Sequence, residues 1–276
     1  MKRVWLIFNP ASRSVTDKMI AAIDATLAAA GVEVVGRSQF PDDDLPDPAM
    51  LGGVDTVIVA AGDGTINATA HRLDDWPGRL LVLPGGTMNM LPKALHGDAD
   101  LAAIMAAAVE APARPLPTVE SAATGQGGGN RALVAALIGP AASWVHAREA
   151  VRKGRWHRMR RVVTLAYSKS LGQSVRVIEH GKRSNKYRAI FVAPEGGRLR
   201  VIKVSARGWR DGAALGWHWL RGDVTAARGA TSELTDKLTL ASTTPSFALF
   251  DGEPGHLPVG ATLTPGTTRL QFVSTQ

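Results

Sequence analysis

The stretch Val57-Ile58-Val59-Ala60-Ala61-Gly62-Asp63-Gly64-Thr65-Ile66-Asn67-Ala68-Thr69-Ala70 decides the fold. An apolar, β-prone run passes into Gly-Asp-Gly and then into Thr65, read as the cap of an Ala-rich helix. The pattern is that of a buried strand, a glycine turn and a helix start. The glycines let the backbone approach a phosphate closely, and the first N–H groups and dipole of the helix point to the same place. Asp63 is the unusual member, because a carboxylate repels a bare phosphate. It makes sense there if it orients a divalent cation or a hydroxyl beside the phosphate. Taken alone, a Gly-Asp-Gly turn is more readily read as a plain connector of strand to helix.

About twenty residues on, Leu80-Leu81-Val82-Leu83-Pro84-Gly85-Gly86-Thr87-Met88-Asn89 repeats the theme of a short apolar strand ending in a glycine turn. Two such strand ends in neighbouring βα units would lie side by side at the carboxyl edge of a parallel sheet, where ligands of open α/β sheets bind. Ala61-Gly62-Asp63-Gly64-Thr65 resembles the GGDGT signature shared by the diacylglycerol and sphingosine kinases, the NAD kinases and the phosphofructokinases. Pro84-Gly85-Gly86-Thr87-Met88-Asn89 is similar to the PxGTxN element of the lipid-kinase branch, and Phe250-Asp251-Gly252-Glu253-Pro254 resembles that branch's DGE element. The motifs stand in the right order over most of the chain.

With 276 residues, 45% of them hydrophobic and 20% charged, the chain suits one large globular domain or two of ordinary size. There is no cysteine, which removes disulfides, thiolate metal sites and cysteine nucleophiles and fits a reducing compartment. Met1-Lys2-Arg3-Val4-Trp5-Leu6-Ile7-Phe8-Asn9-Pro10 is read as a first strand, its apolar run being too short for a secretory core. No run approaches the length needed to span a bilayer. The expectation is a cytoplasmic, peripherally membrane-associated protein. A net charge of +8 favours an acidic partner, whether nucleotide, anionic membrane or nucleic acid.

Further along, Asn9-Pro10-Ala11-Ser12-Arg13-Ser14 is a polar turn before a helix expected over Thr16 to Ala30, stopped by Gly31. The turn resembles the family's NPxSG element, with Arg13 in place of the usual glycine. By that resemblance Asn9 contacts the nucleotide. Val32-Glu33-Val34-Val35 is a strand candidate, and Ser38 after it sits where the family places a hydroxyl contact to ATP. Phe40 to Pro48, with its four aspartates, reads as a solvated loop. A helix is expected from Asp98 to Glu110. Ala111-Pro112-Ala113-Arg114-Pro115-Leu116-Pro117 then reads as a domain boundary.

Beyond it the texture changes to short β-like runs: Leu133-Val134, Val175 to Ile178, Tyr187 to Ala193, Leu199 to Val204, Leu238 to Leu240 and Phe247 to Phe250. Such texture indicates a largely antiparallel β domain. The expected division is 1–114 as the α/β ATP-binding domain and 115–265 as the lipid-substrate domain, with a strand near 266–276 returning to the first. Gly125 to Asn130 reads as a hairpin tip at most. The resemblance implies the same architecture, a Rossmann-like α/β domain followed by a β-sandwich, with the active site in the interdomain cleft.

Between His146 and Arg161 lie Arg148, Arg152, Lys153, Arg155, Arg158, Arg160 and Arg161 against the single acid Glu149, with Trp144 and Trp156 flanking and interrupting the run. A basic segment with interfacial tryptophans suits an anionic bilayer, and an ordinary solvated helix face explains it as well. No nucleic-acid fold motif accompanies the charge, so nucleic acid is not expected as a partner. A homodimer stays open.

The resemblance implies an ATP-dependent lipid kinase using Mg2+. Phosphoryl transfer needs a cradle for the triphosphate, neutralisation of its charge and a base near the acceptor hydroxyl. Gly62, Gly64, Thr65, Asn67 and Thr87 would hold the nucleotide, with Asp63 helping to place magnesium and phosphates. Glu253 would accept the proton of a primary alcohol, although Asp251-Gly252-Glu253-Pro254 is also a good β-turn. Arg210-Asp211-Gly212-Ala213-Ala214-Leu215 resembles the family's DGxL segment, implying a structural magnesium held by Asp211 with the carbonyls of Gly208 and Ala213. Diacylglycerol is the default acceptor, a ceramide or sphingoid base the near alternative, and NAD a more distant one. Ala61, Arg13 and Met90 depart from the family pattern and keep open a non-catalytic nucleotide- and membrane-binding protein. The histidines show no ligand or triad spacing, and no GxSxG or HExxH is present.

Overall fold

The computed structural model describes all residues except 13, 87, 88, 123–129, 141, 143–173, 180, 184, 185 and 206–229. The chain forms two compact units, Met1–Leu116 with Thr267–Gln276, and Pro117–Gly266.

The first unit is built on parallel strands β1 (Arg3–Phe8), β2 (Glu33–Gln39), β3 (Thr56–Ala61) and β4 (Arg79–Pro84), in the order β2-β1-β3-β4. The end of a long last strand, β16 (Thr262–Val273), adds to β4 in parallel, with Gln271 opposite Arg79 and Phe272 opposite Leu80. All six residues of β3 are buried, as expected where both faces of a parallel sheet are covered. The helices are α1 (Asp17–Ala29), α2 (Asp63–Arg72), α3 (Met90–His96) and α4 (Leu101–Ala108). One core face gathers Val4, Leu6, Ile58, Ala60, Leu81 and Leu83 from the strands with Ile23, Leu27, Ile104 and Met105 from α1 and α4. Thr16 caps α1 by accepting from Met19 N, and Asp100 caps α4 by accepting from Ala103 N at 2.8 Å. The single helix expected over Asp98 to Glu110 is therefore shorter, and α3 precedes it.

One reading is corrected here and another is extended. β2 does not stop at Val35. Its pairing with β1 continues to Gln39 because Gly36 leaves room for the Trp5 indole, which a Cβ would strike. The proline-rich segment does hold the division between the two units, and it is also strand, lying in β5 (Ala113–Ala122). Pro115 and Pro117 have no N–H to offer, and Leu116 between them donates its own to Thr268 Oγ1 at 2.9 Å.

The second unit contains a six-stranded antiparallel sheet in the order β12-β11-β10-β7-β14-β15. Its strands are β7 (Ala136–Ile138), β10 (Ala189–Glu195), β11 (Arg198–Val204), β12 (Ala230–Thr235), β14 (Ser246–Phe250) and β15 (Glu253–Leu257). Ile138, Ile190, Val192, Leu199, Val201, Ala248 and Phe250 from this sheet share a core with Val119 of β5, Ala132 of β6 (Arg131–Ala132), Leu238 of β13 (Leu238–Thr239) and Leu263 of β16. The two sets of strands form the layers of a sandwich. A small hairpin joins β8 (Ile178–Glu179) to β9 (Lys182–Arg183). Leu133-Val134 is not a strand but a bend between β6 and β7. The expected tip at Gly125 falls largely outside the described residues.

Among the described residues no helix is long and apolar enough to cross a membrane, which says nothing of strands.

Candidate active site

The strand order reverses direction between β1 and β3, so their carboxyl ends flank the crevice where open α/β sheets bind ligands. Ala61 at the end of β3 pairs with Pro84 at the end of β4, and the two glycine turns leave the sheet next to each other. Their closeness explains the glycines. A Cβ on Gly85 would lie 2.7 Å from Ala61 N, and one on Gly86 would lie 2.8 Å from Gly62 Cα. Neither has a left-handed backbone, so both serve to make room.

Short polar side chains knit the turns together. Asn9, just past β1, accepts from Ala11 N at 2.9 Å and donates through Nδ2 to Thr65 Oγ1 at 3.0 Å. Ser12 Oγ accepts from Gly62 N at 3.2 Å. Asn89 Oδ1 accepts from Gly86 N at 2.7 Å, and Asp63 Oδ1 accepts from Met90 N at 2.8 Å. The last bond ties the start of α2 to the start of α3. Helix α2 begins at Asp63, with Gly62 as its cap, so Thr65 lies inside the first turn rather than capping it. The Gly62 backbone is already extended at φ −80°, ψ 167°, which lets the helix start three residues earlier.

Asn9, Gly62, Asp63, Gly64 and Thr65 are thus brought together at one edge of the sheet, with Asn67 half-buried on the next turn of α2. Ser38 is buried in β2, opposite Ile7, and its hydroxyl accepts from Trp5 Nε1 at 3.1 Å. It belongs to the strand rather than following it. Ala61 is fully buried in strand register, and Met90 opens α3 behind Asn89 in a left-handed conformation (φ 48°). Neither departure from the family pattern removes the strand-turn-helix geometry. At the end of α3, the buried His96 donates through Nε2 to Val82 O at 3.1 Å and meets Thr275 Oγ1 through Nδ1 at 3.0 Å. Burial pushes its pKa below the ordinary imidazole value, with the Val82 bond pulling weakly the other way.

In the second unit Asp251 and Gly252 form the two-residue loop of the β14–β15 hairpin, with φ 49° and 91°, and Phe250 opposite Glu253. Two positive φ values in succession define the type I′ turn that Asp-Gly favours. Glu253 opens β15, the edge strand of the sheet, with its side chain exposed. Pro254 is tolerated on that edge. The turn reading and the reading of Glu253 as a presented carboxylate are therefore compatible. Asp251, which the sequence had not singled out, is 4% exposed. Its carboxylate accepts from the backbone N–H of Leu133, Val134 and Ala135 at 2.6, 2.8 and 2.9 Å. This is why Leu133 and Val134 bend instead of extending: their N–H groups face a carboxylate rather than a strand.

Ser12 and Asn89 were also missed, although Asn before Pro-Ala-Ser carries the signature of an Asx turn. Thr87, Arg13, the basic run from Arg148 to Arg161, and Asp211, Gly208 and Ala213 lie outside the described residues. Among the described residues no group of three or more acidic or histidine side chains is arranged to hold a metal.

Fold and site together define a class, an α/β unit with paired phosphate-type turns followed by an antiparallel β unit. Residues 3–120 match the family model described as the diacylglycerol kinase catalytic domain, so over this stretch the resemblance seen in the motifs holds. A diacylglycerol kinase of Staphylococcus epidermidis is 32% identical over 110 residues, covering 36% of this chain and 34% of the relative. One of Staphylococcus aureus matches to the same extent. The matched stretch thus spans about a third of the length of these curated relatives. The crystal structure of a diacylglycerol kinase from Bacillus anthracis superposes with a TM-score of 0.65 over 99% of this chain and 97% of that one. At 16% identity this likeness concerns the fold.

Proposed function

We infer that this chain is an ATP-dependent lipid kinase that transfers the γ-phosphoryl group to the primary hydroxyl of a membrane lipid, diacylglycerol in the first instance. The observation that carries the reading is the pair of abutting glycine turns at the carboxyl ends of β3 and β4, locked by Asn9, Ser12, Asp63 and Asn89, within the segment that matches the diacylglycerol kinase catalytic domain. Preorganised backbone at a helix start suits a triphosphate, whose transfer depends on positioning and charge neutralisation.

Gly62, Gly64 and Thr65 would bind the phosphates, with Asn9 bracing Thr65 and Thr87, Ser38 and Asn67 as further nucleotide contacts. The half-buried Asp63 fits a magnesium site of the kind completed by one or two carboxylates and the substrate's own phosphates. There the ion would neutralise charge on the transferring group. Glu253 would take the proton of the attacking hydroxyl. Asp211 with the Gly208 and Ala213 carbonyls would hold the structural magnesium. The run from Arg148 to Arg158 would meet the anionic membrane surface, with the protein peripheral on the cytoplasmic face. The division near residues 114–116 would separate nucleotide from lipid duties.

The test is transfer of radiolabelled phosphate from ATP, with magnesium, to diacylglycerol, ceramide, sphingosine and NAD in mixed micelles. Labelled diacylglycerol is expected. Label in ceramide or sphingosine alone would redirect the acceptor, label in NAD alone would overturn the lipid assignment, and no label with ATP bound would favour the non-catalytic reading.

A further inference from the structure

Asp251 does more than its turn requires. A type I′ loop needs only residues that accept positive φ, and Asn at the first loop position serves as well as Asp. Asp251 is nevertheless buried, and both carboxylate oxygens are used: Oδ2 by Leu133 N–H, Oδ1 by Val134 and Ala135 N–H. In return its own N–H donates to Ala135 O at 2.9 Å. Hydrogen bonds to an ionised acceptor are the strong ones, and here they join segments more than a hundred residues apart in sequence. The loop leaves no slack, since Glu253 pairs directly with Phe250 across it. A second tie lies further along β15, where Asn130 Nδ2 donates to His256 O at 3.1 Å. The edge strand is thus held by this bond as well as by its ladder with β14.

We propose that Asp251 is a positioning residue that fixes where the Glu253 carboxylate is presented, by clamping the hairpin loop onto the backbone of residues 133–135. The proposal rests on the reading of Glu253 as proton acceptor. The clamp converts a turn that any Asx-Gly could make into a rigid mount for the following side chain.

Asp251→Asn is the discriminating substitution, because Asn-Gly forms the same turn while its amide sets N–H against N–H at one clamp point. With Glu253→Gln as companion, kcat, KM for ATP and the pH–rate profile are measured on protein whose folding is verified by circular dichroism. The expected result is a fall in kcat of about tenfold or more for Asp251→Asn, with KM for ATP within about twofold and a shifted acid limb of the profile. Gly252→Ala keeps both carboxylates and has open space for its Cβ, but strains the loop at φ 91°. It should lower kcat about threefold at unchanged KM for ATP. Unchanged kcat in both variants, while Glu253→Gln abolishes turnover, would overturn the clamp and leave the base standing. Full turnover in Glu253→Gln would remove the base, and the clamp's role with it.

Discussion

The paired glycine turns beside β3 and β4 and the Asp-Gly turn between β14 and β15 are similar in sequence and work by opposite means. At Gly85 and Gly86 the backbone is ordinary and space is short: an added Cβ would meet Ala61 and Gly62 backbone. At Gly252 space is open and the backbone is left-handed. In the first case glycine lets two parallel strand ends lie against each other to form a concave edge. In the other it lets an antiparallel pair reverse in two residues. Each turn is then locked by an aspartate on backbone N–H, Asp63 on Met90 and Asp251 on residues 133–135. The cradle and the presented carboxylate are thus products of different backbone physics.

That contrast predicts different responses to the same substitution. Gly85→Ala must displace backbone and Val15, so it should cost about 1–3 kcal/mol in thermal or denaturant unfolding and weaken ATP binding. A neutral outcome would mean the two turns are not in contact. Gly252→Ala should cost about 1 kcal/mol, the penalty of a left-handed residue, with ATP binding untouched. A loss as large as that of Gly85→Ala, or a loss of ATP binding, would erase the distinction.

The smallest effect at neutral pH, and the most diagnostic of the first unit, involves His96. Its folded-state pKa lies below the unfolded value, so the unfolded chain binds the extra proton as the medium is acidified. Stability is fully present above about pH 6.5 and declines as pH falls toward the depressed folded pKa. His96→Gln should flatten that acid slope between about pH 7 and pH 5 in denaturant titrations. A slope identical to that of the parent chain would exclude His96 as its source.

The two strand-turn units were legible because each is a local pattern, an apolar run ending in glycines; the helix after the first turn was expected, and α3 after the second was not. The shared carboxyl edge followed from two such units in succession. What escaped depended on partners distant in sequence. Asp251 reads as a turn residue until Leu133, Val134 and Ala135 are seen against it. The proline-rich segment reads only as a boundary, because its strand character depends on a distant partner: the Leu116 N–H finds Thr268 from the far end of the chain. β12 (Ala-Thr-Ser-Glu-Leu-Thr) and β15 (Glu-Pro-Gly-His-Leu) are edge strands, mostly exposed and mostly polar, so they show no alternating apolar pattern. β2 was cut short because the room Gly36 gives Trp5 is invisible without the neighbouring strand. Asn9 was legible as a candidate site residue from the motif it resembles, but its bond to Thr65 and the Ser12 bond to Gly62 were not.

The most direct test of the account compares the parent chain with Glu253→Gln for transfer of labelled phosphate from ATP to diacylglycerol, with ATP binding measured on both. The account predicts labelled lipid from the parent chain and at least a hundredfold less from the variant, at unchanged ATP affinity. No labelled lipid from an ATP-bound parent chain, or equal turnover from the variant, would contradict it.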